Sequence, residues 1–231
     1  RLVKYRPPAE GVVEDGAIIR KDTGVFEGGE ISMVYEPMIA KLCTWGSERG
    51  IAINTMKRAL DEFELDGIGH NIPFLQAVYD HDRFERGDIT TAFIAEEYPD
   101  GFVGAPENPV HSRTVAAVCA LMHDVTQHRA AMISGSLPNH ARHIPDEWSV
   151  AVKTGTDEGR IYKAEVKGDQ GIRTLVMRTV DETHALEVGL NWKPGQELVC
   201  ARVDNEIFTI KARPMPCGYK VWYRGVAYDV F

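Results

Sequence analysis

The sequence predicts an α+β protein in which a mixed α/β first part is followed by an eight-stranded antiparallel β-barrel built around one long central helix. Three observations carry that expectation. The stretch TVAAVCALMHDV, Thr114 to Val125, has a helical composition but is apolar nearly all the way round, so a helix there must be buried on every face. Beyond Trp148 the chain breaks into eight short segments of alternating polarity, separated by turn signals such as KGDQG, KPGQ and VDNE. Between the two parts, YPDGFVGAPENPV (Tyr98 to Val110) is dense in Pro and Gly and marks a boundary. Residues 1–103 are therefore assigned to a first domain, 104–111 to a linker and 112–231 to a second domain.

In the first domain, AIIRKDTGV and MIAKLCTWG read as strands. SERGIAINTMKRALDEFEL reads as a helix, with Ser47 as N-cap, Ile51, Met56, Ala59, Leu60 and Phe63 near helical spacing, and Gly67 as its end. Two shorter helices are expected over 72–80 and 89–97. The second domain opens with a helix over 112–132, capped by Ser112, followed by a long loop over 133–147. Strands are then placed at 148–153, 161–167, 172–179, 185–192, 197–203, 207–212, 219–224 and 226–231. In LEVGLNW, Leu186, Val188, Leu190 and Trp192 face one way and the residues between them the other.

The one surface able to cover a helix on all sides is the inside of a closed or nearly closed sheet. An ordinary eight-stranded barrel is just filled by its own side chains, so enclosing a helix calls for a wider, more tilted barrel or an open seam. Ala116, Ala117, Cys119 and Ala120 keep the rod thin. The rival arrangement, a helix across an open sheet, leaves an apolar side wet.

Composition narrows the function. A net charge of −8, from 26 Lys plus Arg against 34 Asp plus Glu, argues against nucleic acid or an anionic membrane as partner. Four widely spaced cysteines without a CxxC pair suggest a reducing compartment, the cytoplasm in a bacterium or the mitochondrial matrix in a eukaryote. No apolar run reaches eighteen residues and no leader pattern is visible. The opening RLVKYRPP lacks Met and reads as the interior of a longer polypeptide.

The stretch RKDTGVFEGGEISMVYEPMIAKLCTWG, the helix ending in ALDEF, the segment GIGHNIPFLQAV and then GDITTAFIAEEYPDGF follow one another over about a hundred residues. In that order they resemble the C-terminal part of the biotin carboxylase domain of biotin-dependent acyl-CoA carboxylases. Val34 and Glu36 stand where that family usually has Tyr and Asp. The helix-then-strands second half is similar to the family's BT domain, in which a central helix is surrounded by an antiparallel barrel.

The resemblance implies an α subunit that carboxylates biotin with ATP, Mg and bicarbonate, a carboxyltransferase β subunit and a biotin carboxyl carrier domain as partners, and an α6β6 hetero-oligomer. It also implies that Arg20, just before the DTG turn, steadies an oxyanion with its permanently charged fork. The residues alone allow a plainer reading, a surface Arg beside Asp22. A phosphate-cradling loop, metal-binding carboxylates, a general base and the biotin-bearing AMKM segment are not found here, so this piece is not expected to act alone.

The loop ISGSLPNHARHIPDEW has no secondary-structure signal and is long enough to be functional or disordered. Residues Ser136, Leu137, Pro138, Asn139, His140, Ala141, Arg142 and His143 offer an apolar tip with cationic flanks, suited to a protein contact. The resemblance implies that this segment is a hook gripping the β subunit. The plainer alternative is a solvated connector. HARH lacks a Cys pair, and His123 to His128 is off the shared face that i, i+4 ligands need, so no metal site is assigned. His123 is expected near the helix exit, satisfied by water or a carbonyl. Trp148, Trp192, Trp222, Tyr219, Tyr223 and Tyr228 are assigned to core or interface, because an acidic chain is a poor base-stacking platform. The competing function class is a non-catalytic binding module.

Overall fold

The computed structural model describes residues 1–31, 38–132, 142–155, 159–168 and 172–231. The chain divides into two compact units, Arg1–Pro106 with Arg224–Val226, and Glu107–Tyr223 with Ala227–Phe231.

In the first unit, β1 (Lys4–Arg6) pairs antiparallel with β5 (Glu64–Asp66). A separate antiparallel sheet joins β2 (Gly11–Val12), β3 (Ile18–Thr23) and β4 (Ala40–Trp45). Helix α1 (Arg49–Glu62) buries Ile53, Met56, Ala59 and Leu60, one stripe at helical spacing. It enters at Glu48, which makes no side-chain cap, rather than at Ser47. Its end also departs from expectation. The helix stops at Glu62, and Phe63 and Leu65 are both buried, which is the two-residue period of a strand answering β1. Leu2, Tyr5, Met56, Leu60, Phe63, Leu65 and Ile72 form one core cluster.

Helix α2 (Ile72–Tyr79) lies where expected. The helix expected over 89–97 is the shorter α4 (Phe93–Glu97), and a further short helix that was not expected, α3 (Asp82–Arg86), precedes it. Gly87 ends α3 at φ 80°, its N–H bonding back to the carbonyls of Arg83 and Phe84, a left-handed stop that glycine adopts without steric cost.

The second unit opens with α5 (Pro109–Ala131), three residues earlier than expected. Asn108 is the cap, its Oδ1 accepting from the Val110 N–H at 2.9 Å. Pro109 sits in the first turn, where its missing N–H costs nothing because that donor has no helical partner anyway. Ser112 is inside the helix, fully buried, with its hydroxyl donating to Glu107 Oε1 at 2.5 Å.

Eight strands follow: β6 (Glu147–Thr154), β7 (Arg160–Lys167), β8 (Ile172–Arg178), β9 (Thr183–Asn191), β10 (Leu198–Val203), β11 (Glu206–Met215), β12 (Gly218–Tyr223) and β13 (Val226–Val230). They form a closed antiparallel barrel in which each strand neighbours the next in sequence. Closure comes from β13 on β6, with Tyr228 opposite Thr154 and Val230 opposite Val152, continued by Phe231 and Ala151 exchanging backbone bonds at 2.8 and 2.9 Å. Among the described residues the barrel has no strand edge left to pair with another chain. At Gly218, φ is 130°, and a Cβ would lie 2.0 Å from the Val230 carbonyl oxygen, so the β11–β12 turn can pass β13 only without a side chain.

Inward residues alternate along every strand: Val150 and Val152, Tyr162 and Ala164, Leu175 and Met177, Leu186 and Val188, Val199 and Ala201, Ile210 and Ala212, Tyr228 and Val230 are all buried. Helix α5 packs against β6, β7, β8, β9 and β12, and the eight consecutive residues Val115 to Met122 are each at most 2 % exposed. The barrel encloses the helix without an open seam, and the alanines and Cys119 sit among those enclosed residues.

Candidate functional site

The oily segment of α5 ends at Met122, and the next turns carry the polar groups of the barrel's mouth. Asp124 is 1 % exposed and forms an ion pair with Arg173 of β8, whose side chain is 17 % exposed. Such a pair joins the helix to the wall at a defined height and angle. His128, one turn later, places Nδ1 3.0 Å from the Asp124 carbonyl oxygen and 3.3 Å from its carboxylate. Asp124 is not among the residues that the sequence singles out. The available signal was a lone carboxylate within ALMHDV, two residues after the last enclosed apolar one.

On another side of the helix, near its exit, the His123 ring meets Trp148 edge-on, centroids 4.6 Å apart. Burial pushes the His123 pKa below the ordinary histidine value, and Arg142 adds to that, while Asp124 acts the other way. The neutral ring is therefore the favoured form. Cys119, deeper in the barrel, is a buried thiol whose pKa burial raises strongly, a structural rather than a reactive cysteine.

Two cavities border this end of the helix. One, of about 390 Å³, is lined mainly by apolar groups, among them His123, Trp148, Met215, Tyr219 and Phe231. The other, of about 670 Å³, is lined by Asp124, His128, Arg129, Arg173, Trp192 and Lys193 among others. Trp192 is held there by an indole N–H bond to the Gln196 carbonyl at 2.8 Å.

Of the predicted docking segment, Ser136, Leu137, Pro138, Asn139, His140 and Ala141 lie outside the described residues. Arg142 and His143 are exposed, and Arg142 Nη2 donates to Gln127 Oε1 of α5 at 2.7 Å. The chain thus leaves and re-enters the described structure beside the same helix end.

Arg20 stands on β3 in the other unit, its side chain 66 % exposed and 2.8 Å from Asp22 Oδ2. That hydrogen bond is the main cause of its raised pKa. This is the surface pair that the residues alone suggested. Among the described residues no group of three His, Cys, Asp or Glu side chains could hold a cation. The donors among the described residues do not make up a nucleotide–Mg site.

The family model of the biotin carboxylase C-terminal domain matches residues 1–96, and that of the propionyl-coenzyme A carboxylase BT domain matches residues 115–231. A propionyl-CoA carboxylase alpha chain of Ruegeria pomeroyi is 43 % identical over 239 residues, covering 97 % of this chain and 34 % of that protein. The mitochondrial alpha chain of Rattus norvegicus is 30 % identical over 227 residues, covering 92 % and 28 %. A methylcrotonoyl-CoA carboxylase subunit alpha of Oryza sativa is 34 % identical over 152 residues, covering 62 % and 20 %. The chain spans about a third or less of the length of these relatives. Among solved structures, Rhizobium etli pyruvate carboxylase is 28 % identical and covers 69 % of this chain and 14 % of that one, with a TM-score of 0.41. A superposition that loose adds nothing to the sequence matches.

Proposed function

Because the chain belongs to the propionyl-coenzyme A carboxylase BT-domain family, with a biotin carboxylase C-terminal domain matched ahead of it, we propose that it is part of the α subunit of propionyl-CoA carboxylase. The complete subunit carboxylates biotin with ATP and bicarbonate, and a carboxyltransferase β subunit passes the carboxyl group to propionyl-CoA. Within that assembly, an α6β6 hetero-oligomer, the first unit completes the carboxylase domain and the second docks α onto β. A biotin carboxyl carrier domain elsewhere on the same polypeptide shuttles between the two active sites. The compartment is the cytoplasm in bacteria and the mitochondrial matrix in eukaryotes, and no described helix is long and apolar enough to cross a membrane.

The observation that supports docking is the enclosed helix. A rod buried from Val115 to Met122 inside a closed barrel gives a rigid mount, and residues 133–147 spring from its end. Binding loops work best on such a scaffold because less motion has to be frozen on association. Residues Ser136 to His143 form the grip. Deleting 136–143 from the complete subunit abolishes co-purification with the β subunit, and full retention of affinity would defeat the reading.

The methylcrotonoyl-CoA relative favours one second reading, an α subunit of another acyl-CoA carboxylase. Rates on propionyl-, methylcrotonoyl- and acetyl-CoA with the complete complex separate the two.

A further inference from the structure

The larger cavity at the barrel mouth has a composition that the rest of the molecule does not lead one to expect. The chain carries a net charge of −8, yet this cavity gathers Arg129, Arg173 and Lys193, with His128 beside them, against Asp124 and Asp146. Asp124 is already spent on Arg173 and His128. Arg129 and Lys193 make no side-chain ion pair or hydrogen bond among the described residues, and both are exposed. The floor between the charges is apolar, with Val125, Val166 and the fixed face of Trp192.

We propose that this cavity receives an acidic side chain of the carboxyltransferase partner, the carboxylate set between Arg129 and Lys193 and its aliphatic stem lying on Trp192. The inference rests on the docking reading and deepens it. The cavity is lined by Met132 and Asp146, which stand in sequence four residues before and three residues after the segment 136–143, so a protein gripped by that segment has its surface within reach. Two cations without a side-chain partner among the described residues, on an otherwise acidic chain, choose a carboxylate by complementarity, and they repel a cationic patch. Arg173 is not the receiver. Its guanidinium is bound to Asp124, and it serves to stop that buried carboxylate from opposing an incoming acid. Asp146 opposes one, which places the carboxylate toward the Arg129 and Lys193 side.

The test uses the complete α subunit and its purified β partner, with association followed by biolayer interferometry at low and high salt. Charge reversal in Arg129→Glu/Lys193→Glu weakens binding by roughly tenfold or more and slows association, and it flattens the salt dependence, as expected when a steering pair is lost. Deletion of 136–143, run in parallel, abolishes binding altogether. Wild-type affinity and salt slope in the double variant, with binding lost in the deletion, overturn the cavity proposal and leave the docking reading intact. Wild-type affinity in both overturns both. If charge reversal lowers the melting temperature, Arg129→Gln/Lys193→Gln replaces it under the same criterion, because neutral amides leave the exposed mouth soluble while removing the attraction.

Discussion

Burial of His123 against Trp148 penalises the protonated ring, and that penalty fixes the sign of a pH effect. The unfolded chain takes up a proton near pH 6.5, the ordinary value, while the folded protein takes it up only at lower pH. Between those two values the unfolded state binds more protons, so stability is full above about pH 6.5 and falls as the pH drops below it. Melting temperatures of the wild type and of His123→Phe, compared from pH 8 to 5, should diverge in that direction, the wild type losing more. A difference that stays constant over the range would show that the ring is solvated in the folded state. Arg20 carries a different prediction. Its guanidinium lies 2.8 Å from Asp22 Oδ2, and the role proposed for it is to steady a developing oxyanion in the complete subunit. Arg20→Ala there is expected to slow biotin carboxylation by roughly 10² to 10³, on the scale of removing one preorganised charge stabiliser. Unchanged turnover under saturating ATP and bicarbonate would contradict that role.

At the scale of the element, α5 tests the enclosure directly. Val118 is fully buried, and Val118→Asp places a carboxylate with no partner in an apolar interior, a change severe enough to unfold the barrel unit. Loss of the cooperative melt of that unit, followed by near-ultraviolet circular dichroism, is the expected result. The Asp124–Arg173 pair makes a different prediction. Removing one partner alone, as in Arg173→Met, strands the buried Asp124 carboxylate and costs on the order of 3–5 kcal/mol, whereas the paired apolar replacement Asp124→Leu/Arg173→Met is close to neutral. A double-mutant cycle of Asp124→Leu, Arg173→Met and the double variant by chemical denaturation measures the coupling, and a double-variant loss equal to the sum of the two single losses would show the pair to be uncoupled.

These elements also show how far the sequence could be read. The barrel strands were legible because a wall with one apolar face must alternate, as Leu175–Met177 and Leu186–Val188 do. The central helix was legible because it lacks a polar face. The start of α5 was misplaced because Pro109 looks like a linker residue until it is seen in a first turn, where its fixed φ suits the helix. Helix α3, which was not expected, is one short turn stopped by the left-handed Gly87, and the turn from α1 into β5 depends on a strand partner sixty residues earlier in the chain. Neither is a local signal. The Asp124–Arg173 pair joins residues 49 positions apart, and a pairing of that reach has no mark in a single sequence.

At the scale of the whole molecule, the proposed division of labour separates two half-reactions that a single assay confuses. Biotin carboxylation needs the carboxylase domain alone. Transfer to propionyl-CoA needs the carrier to reach a second protein, and docking turns that encounter into an event within one assembly. Tethering of this kind sets an effective concentration in the millimolar range and can raise overall avidity by about 10² to 10⁴ without new contacts. Deleting 136–143 from the complete subunit is therefore expected to leave ATP consumption with free biotin unchanged, while propionyl-CoA carboxylation at micromolar β subunit falls by roughly 10² or more. Raising the β-subunit concentration should recover part of that loss, because the deletion removes proximity and not chemistry. A parallel loss in both assays would show that the segment supports the carboxylase domain itself. An unchanged overall rate would mean that some surface other than the barrel mouth holds the two subunits together.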